Sequence, residues 1–135
     1  MPETLRTLVV DDERHTRQSV RSALADQPDV EVVAEASTVD EAADHVLRDT
    51  PDVVFLDVQM RTENGFDLLK RVDRPVQVIF VTAYDEYAAR AFEVNALDYL
   101  LKPINPDRLT EALNRARTSA SSLPQQRSSA ASNAF

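Results

Sequence analysis

The stretch Pro51-Asp52-Val53-Val54-Phe55-Leu56-Asp57-Val58-Gln59-Met60 carries an apolar run that stops abruptly at a carboxylate. A short run of this kind fits a strand buried on both faces, as in a parallel sheet. Periodicity alone leaves a buried helical turn open. Phe55 and the two valines, following Pro51, favour the strand. Asp57 then stands at the strand's C-terminal end, where open α/β sheets bind their ligands. The alternative is that Asp57 simply begins a loop, since aspartate is a common turn residue.

Outward from this strand the chain alternates. Leu5–Val10 reads as a strand closing on Asp11-Asp12-Glu13. A helix over Arg14–Asp26 follows, with Val20, Ala23 and Leu24 on one face. Val30–Ala36 is a second strand. Thr38 and Glu41 fit a capping box that opens a helix with an Ala42, Ala43, Val46, Leu47 stripe. Phe66, Leu69 and Val72 mark a short helix ended by Arg74-Pro75. Val76–Val81 is a strand running into Thr82-Ala83. Asp85 is placed to cap a helix from Glu86 to about Val94, with Ala88, Ala91 and Phe92 inward. Asp98–Leu101 is a brief strand stopping at Lys102-Pro103. Asn105 caps a last helix with Pro106 in its first position, and Leu109, Ala112, Leu113 and Ala116 face the core. Five strand–helix units in strict alternation predict a parallel sheet covered by helices on both faces, joined by right-handed crossovers. The domain is expected over residues 4–117. The polar run 118–135 reads as a mostly disordered tail or linker.

Bulk properties narrow the function. The chain has 135 residues, 43% of them hydrophobic and 28% charged, which suits one globular domain. It has no cysteine, so disulfides and thiolate metal sites are excluded. The longest apolar runs are about four residues, far short of a membrane span. Met1-Pro2-Glu3-Thr4 does not open a secretory signal, so a cytoplasmic location is expected. A net charge of −8 argues against direct nucleic acid binding by this chain.

Four strands end in polar groups: Asp11-Asp12, Asp57, Thr82 and Lys102. A parallel sheet brings all of these ends to one edge. Carboxylates gathered there raise one another's pKa unless a cation joins them. Mg²⁺ suits such a group, taking one or two carboxylates together with water and phosphate oxygens. A lysine and a threonine hydroxyl suit the remaining oxygens of a phosphoryl group, and a carboxylate can itself accept phosphate covalently. The set reads as a Mg²⁺-assisted phosphoryl-transfer site. Each member also has a plain structural reading. Asp11 or Asp12 can cap a helix, Thr82 can be a strand-end hydroxyl, and Lys102 can lie in a solvated turn. Lys102 is, however, one of two lysines beside thirteen arginines. His15 and His45 fall inside predicted helices and read as surface residues.

Asp11-Asp12, Asp57, Thr82-Ala83 and Lys102-Pro103, in this order and spacing, resemble the receiver domain of bacterial response regulators. The resemblance covers about residues 4–117. It implies a CheY-like, flavodoxin-like (βα)5 fold, a doubly wound five-stranded parallel sheet of order 2-1-3-4-5. It implies a signalling switch rather than an enzyme, a phosphoprotein with Asp57 as phosphoacceptor and a sensor histidine kinase as donor. Asp11, Asp12, Asp57 and the backbone carbonyl of Gln59 would bind Mg²⁺. Thr82 and Lys102 would contact the phosphoryl group, and Tyr99 matches the aromatic switch residue. A cis Lys102–Pro103 bond is implied as well. Val81–Ala88 and Asp98–Ile104 look most like the receivers of LytTR-type (LytR/AlgR) transcription regulators, in which a DNA-binding domain follows. A homodimer on phosphorylation is then expected. The family often has Met-Pro where this chain has Met60-Arg61, which restores a backbone N–H. The polar tail looks like an interdomain linker, so the chain reads as a piece of a longer regulator. A stand-alone phosphorelay receiver is the alternative.

Readings from other classes fit less well. A haloacid-dehalogenase-like phosphohydrolase wants Asp-x-Asp after the first strand, and here the aspartates are adjacent. A flavin carrier wants a Gly/Ser/Thr-rich phosphate cradle, which the strand-to-helix turns lack. A degenerate receiver that switches without phosphate would not need the intact acid, threonine and lysine set.

Overall fold

Val53–Leu56 forms the central strand of the computed structural model, which describes residues 4–73 and 76–133. All four of its residues are buried. Around this strand, β3, lie β1 (Leu5–Val10), β2 (Val30–Ala36), β4 (Gln77–Thr82) and β5 (Asp98–Leu101). They form one sheet in the spatial order β2-β1-β3-β4-β5, parallel throughout. The helices are α1 (Arg14–Ala25), α2 (Val39–Asp49), α3 (Phe66–Arg71), α4 (Ala88–Glu93) and α5 (Pro106–Asn133). A single 3₁₀ turn, Asp85–Tyr87, precedes α4.

Alternation along the strands sends side chains to two cores. Leu8, Val10, Val54, Leu56 and Phe80 pack with Val46, Phe66 and Leu68 on one face. Val9, Phe55, Ile79 and Leu100 pack with Val20, Leu24, Leu109 and Leu113 on the other. Capping follows the sequence closely. The Asn105 Oδ1 accepts the N–H groups of Asp107 and Arg108, at 2.8 and 3.2 Å. The Thr38 hydroxyl accepts the Glu41 N–H at 3.1 Å, while the Glu41 carboxylate takes the N–H and hydroxyl of Ser37 rather than the N–H of Thr38. The Lys102–Pro103 peptide bond is cis.

Three expectations are corrected. Phe92 is 85% exposed and Ala88 is also exposed, so only Ala91 of that trio faces inward. The reason is length. The 3₁₀ turn takes the place of the expected first helical turn and leaves α4 six residues, too few to bury a full stripe. Leu47 is 68% exposed because Ala42, Ala43 and Val46 already fill the contact of α2 with the sheet. Asp85 lies inside the 3₁₀ turn and makes no side-chain cap there. The last helix, α5, runs to Asn133. The expected helix stop at Arg74-Pro75 lies outside the described residues.

Candidate functional site

The sheet's hydrogen bonds run one residue past the strands and set the site. Asp11 N–H donates to the Ala36 carbonyl at 3.0 Å, Asp57 N–H to the Val10 carbonyl at 3.0 Å, and Lys102 N–H to the Thr82 carbonyl at 2.8 Å. Each functional residue is therefore held by its neighbour's strand end. The Asp11 carbonyl is also gripped by the Arg17 guanidinium at 2.8 Å. Asp11, Asp57 and Thr82 are buried, unusual company for an apolar sheet.

One carboxylate oxygen from each of Asp11, Asp12 and Asp57 lies within 4.8 Å of the others. The Lys102 Nζ reaches across them, 2.9 Å from Asp11 Oδ2 and 3.1 Å from Asp57 Oδ2. Glu13 Oε1 is 3.8 Å from the same ammonium. Burial pushes the Asp57 carboxyl up to about 6, the nearby Asp11 charge adds to this, and Lys102 opposes it. Lys102 loses proton affinity through burial, but its contacts with Asp11 and Asp57 outweigh that and raise it. Three carboxylates against one lysine leave a net negative, oxygen-lined pocket. Its donor set fits a hard divalent cation, with Asp11, Asp12 and Asp57 as holders and the Gln59 carbonyl on the adjoining loop.

The loop after Asp57 folds back as a two-residue antiparallel ladder, Gln59–Met60 against Glu63–Asn64. Gly65 closes it, its N–H 2.6 Å from the Val58 carbonyl. A Cβ on Gly65 would lie 2.1 Å from the Asp57 carbonyl oxygen, so the chain's single glycine sits where any side chain would strike the site's backbone.

Beyond Thr82 an aromatic relay begins. The Thr82 Oγ1 accepts the Tyr84 N–H at 3.4 Å, and the Tyr99 hydroxyl donates to the Tyr84 carbonyl. Tyr99 packs on Phe80 with ring centroids 6.4 Å apart, and Phe80 on Phe66 at 4.7 Å. Burial raises the pKa of the Tyr99 hydroxyl.

Two contacts escaped sequence reasoning. The Tyr87 hydroxyl donates to the Gln59 side-chain carbonyl at 3.2 Å, and the Arg61 backbone N–H donates to Asp12 Oδ2 at 2.6 Å. Neither has a spacing signal, because both depend on how the ladder folds back. His15 is exposed. His45 is partly buried and pairs with Asp49 at 2.7 Å, far from ligand duty.

Residues 7–114 match the model of the response regulator receiver domain. The chain belongs to that family. It is the receiver domain of a two-component response regulator. Among similar proteins, the sensory transduction protein LytT of Bacillus anthracis is 42% identical over 114 residues, 82% of this chain and 46% of that protein. An uncharacterised response regulatory protein of Yersinia pestis is 47% identical over 113 residues, 82% of this chain and 48% of that protein. This receiver chain spans about half the length of the curated relatives it matches. Among solved structures, the receiver domain of AraT from Geobacillus stearothermophilus superposes with a TM-score of 0.76 at 34% identity, covering 92% of this chain and 98% of that one. Receiver domains are generally non-enzymatic signalling modules that bind Mg²⁺ at an acidic pocket. Among the described residues no helix is long and apolar enough to cross a membrane.

Proposed function

We propose that this receiver is switched by a phosphoryl group on Asp57, supplied by a sensor histidine kinase, in the cytoplasm. The observation that carries the reading is the buried Asp57 carboxylate set between Asp11, Asp12 and Lys102. Bound Mg²⁺, held by the Asp11, Asp12 and Asp57 carboxylates and the Gln59 carbonyl, would offset the charge of the acids and of the incoming phosphoryl oxygens. An Asp57 oxygen attacks phosphorus, the phosphorus–nitrogen bond of the donor's phosphohistidine breaks, and the imidazole leaves with a proton. A carboxyl near 6 is mostly ionised, hence nucleophilic, at pH 7.5. Lys102 presents its ammonium to the transferred group, and Thr82 presents its hydroxyl. Label should therefore pass from a phosphorylated kinase domain to the wild-type chain and not to Asp57→Asn. Equal transfer to both would overturn the assignment.

The output is a change in the Thr82–Tyr99 relay. Tyr84 is held at its N–H by Thr82 and at its carbonyl by Tyr99. A Thr82 hydroxyl drawn to the phosphoryl group releases the first of these, freeing Tyr99 to turn. Phe92 at 85%, Val94 at 39% and Leu101 at 47% exposure give the α4–β5 side an apolar surface. We assign it to a second copy of this chain in a two-fold dimer, which would bring together the DNA-binding domains of a LytT-like full-length regulator. In sedimentation, a beryllofluoride phosphate mimic is expected to convert monomer to dimer in wild type but not in Tyr99→Ala or Phe92→Ser. A wild type that stays monomeric at high concentration with the mimic would refute the dimer. A Tyr99→Ala chain that dimerises as fully as wild type would refute the relay.

A further inference from the structure

The three acids of the site are each steadied by a backbone N–H, and one of these is of a different kind. Asp11 Oδ1 accepts from Glu13 at 2.9 Å, and Asp57 Oδ1 from Gln59 at 3.3 Å, both two residues away. Asp12 Oδ2 accepts from Arg61 at 2.6 Å, across 49 positions of sequence. Among the described residues this is the only hydrogen bond to the Asp12 carboxylate. Asp12 is also the most accessible of the three, and it faces the repulsion of the other two. Without a partner it would turn toward water.

The donor's position is set by its frame rather than by its own side chain. Met60 is buried, 4% exposed, on one side of it. On the other, the Glu63 carboxylate accepts the Val39 N–H at the start of α2, at 3.1 and 3.2 Å. The N–H between these anchors is aimed at Asp12. One oxygen of Asp12 is thereby occupied, and the other remains for a cation. We propose that the Arg61 backbone N–H is a positioning group for the metal site: it fixes Asp12 in the ligand orientation and joins the β1–α1 loop to the β3–α3 loop. The inference rests on the reading of Asp12 as a Mg²⁺ ligand.

The contribution comes from the main chain, so side-chain identity is irrelevant except for proline, which has no N–H. Loss of a partner that orients a metal ligand typically weakens binding 10–100-fold. Mg²⁺ titration of the ¹⁵N-labelled chain, followed by amide shifts, tests this. Arg61→Pro is expected to raise the Kd about tenfold, and Arg61→Ala to leave it unchanged. Far-UV circular dichroism checks that the proline variant is folded. Independently of that variant, the Arg61 amide of the metal-free wild type should exchange slowly with solvent, and Asp12→Ala should speed it. A wild type showing no Mg²⁺-dependent shift removes the metal assignment and this inference together. A wild type that binds while Arg61→Pro binds equally well removes this inference alone. So does an alanine variant as weak as the proline one, or an Arg61 amide whose exchange is indifferent to Asp12.

Discussion

Asp57→Asn is expected to make the metal-free chain more stable by roughly 2–3 kcal/mol at pH 7.5. The carboxyl is pushed from 3.8 up to about 6 in the folded state, by burial first and by Asp11 second. Below about pH 3 it is protonated whether the chain is folded or not, and contributes nothing. As pH rises from there to about 6, the unfolded chain releases the proton while the folded chain keeps it. The folded state therefore binds more protons, and stability falls with pH across this window. Above about 6 the full penalty is in place. Asparagine is isosteric and uncharged, and its amide keeps an oxygen for the Lys102 ammonium. Its advantage over the wild type should thus be near zero at about pH 3 and largest above pH 7. Urea unfolding at several pH values in chelator reads this directly. A gain that does not depend on pH would mean that the charge of Asp57 is not the source. A divalent cation held by the acids would relieve that penalty.

Gly65→Ala should lower stability by more than about 2 kcal/mol, at the upper end of what overpacking usually does. The added Cβ would meet the Asp57 carbonyl oxygen at 2.1 Å and the Leu56 side chain at 3.2 Å. The first neighbour is strand-end backbone and cannot swing aside. Conformational freedom is not the reason for glycine here, because its φ is −58° and any residue adopts that value. The clash falls on the proposed phosphoacceptor, so phosphoryl uptake should slow as well. Thermal or urea melts that match wild type within about 0.5 kcal/mol would show that the ladder shifts to make room.

The parts of this fold legible in sequence are those where one residue type answers one physical demand. Val53–Leu56 is apolar on both faces because helices cover both, and the abrupt Asp57 marks where that cover ends. Asn105 followed by Pro106 can hardly be anything but a helix start. Asp11, Asp57 and Lys102 were legible as neighbours because a parallel sheet puts its strand ends on one edge. Period alone failed at α4, where Phe92 shares the exposed face of Ala88 rather than the buried face of Ala91. A six-residue helix after a 3₁₀ turn has no long face to align. Leu47 fails for a related reason: a stripe predicts the direction of burial, but not its width. The Arg61–Asp12 bond was invisible, because a main-chain donor has no letter in the sequence. Only the want of proline at that position hinted at it.

The most direct test is the intact mass of the chain after incubation with acetyl phosphate. With Mg²⁺, the wild type should gain the mass of one phosphoryl group. With a chelator in place of Mg²⁺ it should gain none, and Asp57→Asn should gain none in either case. Labelling of Asp57→Asn to the wild-type extent, or wild-type labelling that ignores the chelator, would contradict the assignment of Asp57 as a phosphoacceptor in a metal-dependent site.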